Sequence, residues 1–593
     1  ETIRDRKRKG SLLWAIDRTS TAMGARLLRI WVEQPLIDIE DIKFRQNAIA
    51  ELKENFIDRQ ELIRLLKNIY DLERLSGRLA LGQVNARDLI ALISVLEKIE
   101  PLKNSLSSFS DPYLKKLFEE LTLLPNLLEL LKESIVDDPP ITITEGGIIK
   151  QGFNPQVDEY QNATKYGKDW ILNLEQQERD KTGIKSLKVG YNRVFGYYID
   201  VRKSNLDNVP DHYIRRQTLT NSERYITDEL KEMEEKILGA EQKLINLEYE
   251  LFLKIREETM SYVAELKNNA QIIAQIDVLS SLAELADLEN YCQPEVNHEF
   301  DIKINSGRHP VVEQMLEAGE FVPNDVYLNN SDKKVMILTG PNMAGKSTYM
   351  RQTALIVLLA QIGSFVPADS AVIGITDRIF TRVGAADDLA AGQSTFMVEM
   401  TEVAQIMRNS TSRSLLILDE IGRGTGTYDG LSIAWSVIEH IVDEQYINAR
   451  TLFATHYHEL TDIVATTQGV FNCHITATNQ DGKIKFLYHI EEGAAGQSYG
   501  IEVAELAGVP DSVVNRSRNI LYQLEKDNKG RRLTIKNVAR PLDGQLDLFS
   551  AAQTFNQSNK VIERLKNIDM DYISPVDARN ILEELIAEAK GKK

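Results

Sequence analysis

An octapeptide with the pattern Gly-x-x-x-x-Gly-Lys-Ser is the feature that most constrains the fold of this chain. It covers residues 340–347 and lies between an apolar run at 335–339 and an amphipathic stretch at 349–362. Its glycines let successive backbone N–H groups surround phosphates, and a helix that begins directly afterwards offers its positive end to the same anion. A chance match is the alternative, but the strand–loop–helix context favours a nucleoside triphosphate site.

The residues of this loop have separate predicted roles. Lys346 should neutralise the terminal phosphates of ATP, and Ser347 should offer its hydroxyl to Mg²⁺. The predicted nucleotide-binding residues of the loop are Gly340, Pro341, Asn342, Met343, Ala344, Gly345, Lys346, Ser347 and Thr348.

A second apolar run, at 414–418, ends in an acidic pair. Asp419 is the expected Mg²⁺ ligand, and Glu420 is the expected general base that acts on the attacking water. The alternative is a buried strand that ends in an acidic helix cap. A third run, at 451–454, leads to His456, where a histidine can sense the terminal phosphate, although a lone histidine is more often structural.

Two further stretches make the chain recognisable. Residues 387–400 read Asp-Asp-Leu-Ala-Ala-Gly-Gln-Ser-Thr-Phe-Met-Val-Glu-Met, and residues 422–430 read Gly-Arg-Gly-Thr-Gly-Thr-Tyr-Asp-Gly. With the phosphate loop and the segment 454–460, Ala-Thr-His-Tyr-His-Glu-Leu, they resemble the MutS family of DNA mismatch repair ATPases. The resemblance implies an ABC-type ATPase that dimerises, with Ser394 acting on the partner's nucleotide and Phe321 and His489 contacting the base.

Composition excludes several classes of protein. The 593 residues allow about four domains. The two cysteines, Cys292 and Cys473, are too few for a disulfide framework or a zinc site, and a reducing compartment is expected. No apolar run approaches the roughly 20 residues that cross a bilayer, so no membrane partner is expected. With the family resemblance, these features predict a protein of the bacterial cytosol, associated with the nucleoid.

Contact with DNA should be local, because a net charge of −18 has the wrong sign for a protein that coats DNA indiscriminately. The best candidate is the basic island, residues 185–227. It contains eight basic and four acidic residues, with tyrosines between them. Residues 187–191 and 195–201 alternate like short antiparallel strands. The alternative is a solvated face of a small sheet. Resemblance to the family's clamp domain favours contacts with duplex DNA from Lys188, Arg193, Arg215, Arg216 and Arg224.

Long helical patterns flank the basic island. Residues 228–266 contain no proline and carry apolar residues at helical spacing, which predicts a rod of about 60 Å. Residues 160–179 are its expected antiparallel partner, and a separate coiled-coil dimer is the alternative. The first 150 residues of the chain are mostly helical by pattern, as at 43–56 and 88–99, and resemble the family's core domain. Their basic segment at 4–9 is expected to line a DNA channel rather than to act as a nuclear localisation signal.

Relatives of this family read mismatches with an N-terminal domain that carries a Phe-x-Glu motif. No such domain precedes Glu1, and Phe118 with the two glutamates after it reads as part of a helix. The expectation is that this chain is part of a longer protein and does not discriminate mismatches by itself.

The C-terminal region carries several predicted contacts. Residues 498–524 resemble the family's helix-turn-helix dimerisation element, and 559–566 and 575–590 read as helices of a module that would form tetramers. The polar linker between these parts contains a pentapeptide that resembles the motif with which bacterial repair proteins bind the replication sliding clamp. Short apolar motifs in linkers also arise by accident. The pentapeptide consists of Gln545, Leu546, Asp547, Leu548 and Phe549.

Together these patterns predict a multidomain α and α/β fold: a helical core and lever with an inserted small β-rich clamp, followed by an ABC-type P-loop ATPase domain and C-terminal helices. The expected boundaries are core and first lever helices at 1–181, clamp at 182–236, returning lever helix and core at 237–295, ATPase with dimerisation element at 296–525, linker at 526–558, and oligomerisation module at 559–593.

The predicted function is an ATP-hydrolysing DNA clamp of mismatch repair, with duplex DNA, a second copy of the chain, the sliding clamp and a MutL-type protein as partners. The leading alternative is a MutS-like protein that naturally lacks the mismatch sensor and binds DNA junctions, which the sliding-clamp motif disfavours. An ABC-type ATPase of chromosome organisation is disfavoured because its two ATPase halves would be separated by a much longer coiled coil.

Overall fold

The computed structural model describes residues 7–192, 194, 196–317, 319–341, 344–382, 395–480, 483–494 and 500–528. The chain divides into two compact units, residues 1–507 and residues 508–593. Helix α16, Asp511–Asn528, belongs to the second unit. All other elements described below belong to the first unit.

Short helices with polar N-caps build the first part of the chain. Side chains of Ser11, Thr21, Asp38, Asp71 and Asn85 each accept a backbone N–H at a helix start, which satisfies donors that the helix itself leaves free. The helices are α1 Leu12–Ile16, α2 Ala22–Glu33, α3 Ile39–Glu54, α4 Phe56–Leu66, α5 Leu72–Ala80, α6 Ala86–Leu106, α7 Pro112–Glu120 and α8 Pro125–Ser134.

Two long helices contact each other, and the chain between them forms a four-stranded antiparallel sheet. Its strand order is β1-β2-β4-β3, and a separate apolar core that includes Ile171, Ile199 and Ile237 joins it to the helices. The elements are α9 Pro155–Thr182, β1 Lys188–Asn192, β2 Gly196–Arg202, β3 Ile214–Thr218, β4 Ser222–Ile226 and α10 Asp228–Met260.

The prediction of one continuous helix over 228–266 was wrong. Helix α10 ends at Met260, and a new helix, α11 (Val263–Leu288), begins three residues later. The Ser261 hydroxyl donates to the carbonyl of Glu258 at 2.6 Å, which competes with continuation of the helix. The two helices also have different surroundings, because α10 is buried along one side whereas α11 is buried almost all round.

A buried carboxylate of α11 fixes the start of α2. Asp277 accepts hydrogen bonds from the backbone N–H groups of Ser20 and Thr21, at 2.8 and 2.7 Å, and from the Thr21 hydroxyl at 2.6 Å. Gly24 makes this approach possible, since a Cβ there would lie 2.2 Å from a carboxylate oxygen of Asp277. Burial raises the pKa of Asp277 to about 6.

Two sheets follow the helical body. One has the order β5-β9-β6-β7, and the other has the order β10-β11-β12-β8-β13-β14, in which every pair except the antiparallel β13–β14 is parallel. The strands are β5 Glu295–Asn297, β6 Ile302–Gly307, β7 Asn324–Leu328, β8 Val335–Thr339, β9 Ser370–Gly374, β10 Ile379–Arg382, β11 Leu415–Asp419, β12 Arg450–Ala454, β13 Val470–Gln480 and β14 Lys483–Glu492.

Helices cover both faces of the six-stranded sheet. Alternate residues of β8 enter different cores: Met336 and Leu338 join the large core of the helical body, and Val335 and Ile337 join a second core on the opposite face. Both faces are therefore buried, which explains the continuous apolar runs in the sequence. The remaining helices are α12 Lys346–Gln361, α13 Thr395–Asn409, α14 Thr427–Val442 and α15 Gly500–Leu506.

The far end of α12 is attached to the helical body. Arg45 of α3 donates to the carbonyl of Ile362, the C-cap of α12, at 2.9 Å. Gln361 bonds Leu36 twice, through its side-chain amide at 2.9 Å and through its carbonyl at 2.9 Å. The helix that begins at the phosphate loop thus ends on the segment that joins α2 to α3.

We expect Asp277→Asn to stabilise the protein more at about pH 8 than at about pH 5. The folded pKa of Asp277, about 6, lies above the ordinary value of 3.8, so the stability it contributes is present below the ordinary pKa and is lost as pH rises through about 6. The full difference is on the order of 3 kcal/mol. Asparagine resembles the protonated carboxyl group at every pH. Urea unfolding at the two pH values measures the difference.

The exposed carboxylate of Asp138 provides the control. Asp138→Asn should change stability equally at the two pH values. An equal effect of Asp277→Asn at both would show that the buried group does not titrate in this range.

Candidate nucleotide site and DNA-facing surface

Three neighbouring parallel strands end at the same edge of the six-stranded sheet. Strand β12 lies between β11 and β8, with Asp419 paired to Ala454 and Ala454 paired to Leu338. The loops after these strands therefore meet, and they carry the phosphate loop, the acidic pair and His456. Ligand sites of parallel α/β sheets are usually found at this carboxyl edge.

The phosphate loop turns sharply into α12. Gly345 is in the left-handed region, with φ of 101°, immediately before Lys346 at the first position of the helix. The Lys346 ammonium is buried and donates to the carbonyls of Gly340 and Pro341, at 2.6 and 3.1 Å. Burial lowers its pKa. A buried cation that donates to carbonyls of its own loop at a helix N-terminus favours binding of an anion.

Ser347 and Asp419 face each other across the strand end. The Ser347 hydroxyl donates to a carboxylate oxygen of Asp419 at 2.6 Å, although 72 residues separate them in the chain. Burial raises the pKa of Asp419, and the bond from Ser347 acts in the opposite direction. A hydroxyl and a carboxylate are the hard oxygen donors that Mg²⁺ takes from a protein when phosphates complete its shell.

Glu420 is held between His456 and Arg423. One carboxylate oxygen lies 2.6 Å from Nε2 of His456, and the other accepts from the Arg423 guanidinium. The bond to His456 lowers the pKa of Glu420 to about 2 against the effect of burial, and the bond to Arg423 lowers it further. The residue also has a φ of 56°, a left-handed conformation that is uncommon outside glycine and is often found at functional sites.

A cavity of about 730 Å³ opens beside the phosphate loop. This volume suits a small-molecule ligand. The wall contains Phe321, whose predicted contact with a base stays a prediction, together with the loop residues Ala344, Gly345 and Thr348. The aromatic ring of Tyr488 also lines it, and a Cβ on Gly345 would lie 3.5 Å from that ring.

The structure places His489 differently from its neighbours in β14. Tyr488 and Ile490 line the cavity, whereas His489 is exposed and its carbonyl accepts from the Thr476 hydroxyl at 3.0 Å. The base contact of His489 therefore stays a prediction. Sequence reasoning missed Tyr488, although period-two alternation in a strand could have suggested that only one of two adjacent residues faces the ligand.

Several predicted site residues lie outside the described part of the chain. They are Arg193, Asn342, Met343, Ser394 and the pentapeptide at 545–549, together with the linker from residue 529 and the helices predicted after it.

Sequence reasoning missed a role for Glu399 of α13. Its carboxylate accepts from the backbone N–H of Gly422 at 2.6 Å and so connects α13 to the loop after the acidic pair.

Most described cations of the basic island are exposed, but one is not. Lys188, Arg215 and Arg216 lie on the surface of the four-stranded sheet. The Arg224 guanidinium instead lies 4.0 Å from the ring centre of Tyr198 and donates to Gln217 at 2.9 Å. Its contacts lie within the sheet, so the structure does not bring it to the surface with the other three.

Comparison with known proteins agrees with this architecture. Residues 1–283 match the model of MutS domain III, and residues 336–525 match MutS domain V. Proteins named DNA mismatch repair protein MutS are 55% identical in Ruminiclostridium cellulolyticum and 53% identical in Acetivibrio thermocellus, across 99% and 100% of this chain and 67% and 68% of their own lengths. The chain belongs to the MutS family.

The family assignment agrees with the resemblance found in the motifs. The MutS relative of Clostridium tetani is 50% identical, and its match covers all of this chain and 69% of its own length. The fold is mixed α/β, with many helices and several sheets, which is consistent with MutS domains III and V. None of the helices in the described ranges has the length and apolar character needed to cross a membrane.

We expect replacement of both Arg215 and Arg216 by glutamine to weaken duplex binding equally for matched and mismatched DNA. Contacts with phosphate carry no sequence information, and each lost contact should reduce the slope of log affinity against log salt by about 0.9. Titrations at several salt concentrations measure the slope.

Arg224→Gln is the matched control from the same sheet. Because its contacts are internal, it should lower thermal stability and leave the salt slope unchanged. An unchanged slope in the Arg215 and Arg216 variant would show that these side chains do not contact DNA.

Proposed function

We propose that this chain is an ATP-dependent DNA-binding clamp of mismatch repair, which hydrolyses ATP to ADP to drive clamp formation and signalling. The observation that carries the proposal is the meeting of Lys346, the Ser347–Asp419 pair and the Glu420–His456 pair at one sheet edge. Membership of the MutS family supports the same activity. In this proposal residues 296–525 form an ABC-type ATPase, and Phe321 contacts the adenine ring.

The residues at the sheet edge fit ATP with Mg²⁺. Lys346 would exchange the carbonyls of its own loop for phosphate oxygens, and Ser347 and Asp419 would hold the metal. Bound Mg²⁺ would neutralise the charge that develops on the phosphates. The described residues contain no cluster of three or more His, Cys, Asp or Glu side chains, and a site of two protein ligands with phosphates needs none.

Glu420 is the proposed general base. A carboxylate whose pKa is about 2 accepts a proton from water poorly. We infer that phosphate draws Arg423 away from Glu420, because a guanidinium binds phosphate oxygens strongly. Loss of that partner raises the pKa of Glu420, while His456 continues to orient it.

The proposed partners follow from the other parts of the chain. The four-stranded sheet at the tip of α9 and α10 would contact duplex DNA through Lys188, Arg215 and Arg216. A second copy of the chain would complete each nucleotide site through Ser394, and the residues after 558 would form tetramers. The sliding clamp would bind the pentapeptide at 545–549, and a MutL-type protein would receive the signal. The cellular location proposed is the bacterial cytosol, near the nucleoid.

We expect Lys346→Ala to abolish tight ATP binding and Glu420→Gln to keep binding while nearly stopping hydrolysis. The first change removes the charge that holds the phosphates, and the second removes the base, for which a loss of about 100-fold or more is expected. Measurement of ATP affinity and turnover on both variants separates the two roles.

Asp369→Asn, at an exposed carboxylate of the same domain, should leave affinity and turnover unchanged. Normal turnover by Glu420→Gln would contradict its assignment as the base, and normal affinity of Lys346→Ala would contradict the nucleotide site itself.

A further inference from the structure

The loop that follows the acidic pair has an unusual backbone conformation beside the proposed base. Glu420 has a φ of 56° and Gly422 a φ of 87°, so both are in the left-handed region. A Cβ at Gly422 would lie 2.5 Å from the carbonyl oxygen of Gly430, so the loop also lies close against the start of α14. A residue other than glycine keeps such a conformation only where its surroundings hold it. The side chains that hold this loop therefore affect the position of Glu420.

Two side chains bond Gly422, one through its N–H and the other through its carbonyl. The carboxylate of Glu399 accepts from the N–H at 2.6 Å, and the hydroxyl of Tyr457 donates to the carbonyl at 2.9 Å. Glu399 lies on α13, whereas Tyr457 directly follows His456, the histidine that bonds Glu420. The loop is therefore held by two separate parts of the chain.

Helix α13 contacts the loop at a second point. A Cβ at Gly424 would lie 3.0 Å from the Cβ and 3.3 Å from the Cα of Phe396, which is in the first turn of α13. The helix thus packs directly against the backbone of the loop. With the bond from Gly422 to Glu399, this contact joins the loop and α13 on both sides of Arg423.

The burial of Glu399 is not explained by stability alone. The side chain is 5% exposed, and the guanidinium of Arg382 lies 3.6 Å from its carboxylate. Arg382 lies closer to Glu402, at 2.9 Å. The other buried residues of α13, Val403 and Ile406, belong to an apolar core. Burial of a carboxylate costs free energy, and replacement of a buried ion pair by apolar side chains is often neutral or stabilising.

We propose that Glu399 is a positioning residue for ATP hydrolysis, which acts through the N–H of Gly422 to hold Glu420 in the geometry that the attacking water requires. The proposal rests on the proposed function, in which Glu420 is the general base. A base must lie within hydrogen-bond reach of the proton that it accepts, and a displacement of about 1 Å lowers the rate steeply. Glu399 does not line the cavity beside the phosphate loop, so its replacement should change the rate of hydrolysis and not the affinity for ATP.

A purely structural role as the ion-pair partner of Arg382 is the alternative. Two replacements separate the roles, because one depends on the reach of the side chain and the other on its charge. Glu399→Gln keeps the length and an oxygen that accepts from Gly422, and it removes the charge. Glu399→Asp keeps the charge and withdraws the acceptor from Gly422 by one methylene group. The two roles therefore predict opposite orders of activity.

The experiment measures ATP turnover at saturating ATP, ATP affinity and the thermal midpoint of both variants. We expect Glu399→Asp to lower kcat about 10- to 100-fold with ATP affinity unchanged, because the loop and its base lose their position. Glu399→Gln should keep kcat within about 3-fold, since a neutral oxygen still accepts the bond, although more weakly than a carboxylate. Its thermal midpoint should fall, because a charge beside Arg382 is lost.

Glu402→Gln is the matched control on the same helix. It removes the closer partner of Arg382 and does not bond the loop, so it should lower the thermal midpoint and leave turnover unchanged. Tyr457→Phe removes the other bond to Gly422 and should lower kcat without changing ATP affinity. It tests the same loop even if a variant of Glu399 folds poorly.

Normal turnover by Glu399→Asp, or lower turnover by Glu399→Gln than by Glu399→Asp, would overturn the proposal in favour of the ion-pair role. Normal turnover by Tyr457→Phe would also overturn it, because the position of the loop would then not matter. Failure of the proposed function appears differently, as normal turnover by Glu420→Gln.

Discussion

The parallel pairing of β11, β12 and β8 is the constraint on which the rest of the site depends. Backbone hydrogen bonds set the register of these strands, and that register brings residues 72 positions apart, Ser347 and Asp419, to 2.6 Å. Because alternate residues pack into separate apolar cores on the two faces, a slip of the register by one residue would move each side chain into the other core and disrupt its packing. The polar groups at the strand ends are therefore held by apolar packing beneath them.

The same packing connects the site to the helical body. Helix α12 begins at the phosphate loop and ends where Arg45 and Leu36 bond its last residues. In the other direction, α11 fixes the start of α2 through Asp277, and α10 extends from the helical body to the four-stranded sheet. A rearrangement at the phosphate loop thus has a continuous set of packed helices through which it can act on the surface that carries Arg215 and Arg216. Such coupling requires two states of these helices, with ligand binding favouring one of them.

The charged side chains at the edge of the six-stranded sheet and those on the four-stranded sheet have different surroundings. At the sheet edge, each charged side chain has a close partner: Lys346 bonds carbonyls of its own loop, Asp419 bonds Ser347, and Glu420 bonds His456 and Arg423. Arg215 and Arg216 are exposed, which suits phosphate contacts that form and break with salt. The overall charge of −18 is compatible with both, because each region has its own local balance.

The sequence by itself determined the phosphate loop, the acidic pair, the small antiparallel sheet and the MutS family, because each depends on residues close together in the chain or on long motifs. The family resemblance predicted Phe321 as a base contact, and the structure places that side chain on the cavity wall. Only the tertiary structure decided where α10 ends, that Arg224 bonds inside its sheet, and that Tyr488 rather than His489 lines the cavity. These outcomes depend on which surfaces meet in space, and side chains of one chemical type have different roles according to the neighbours that folding gives them.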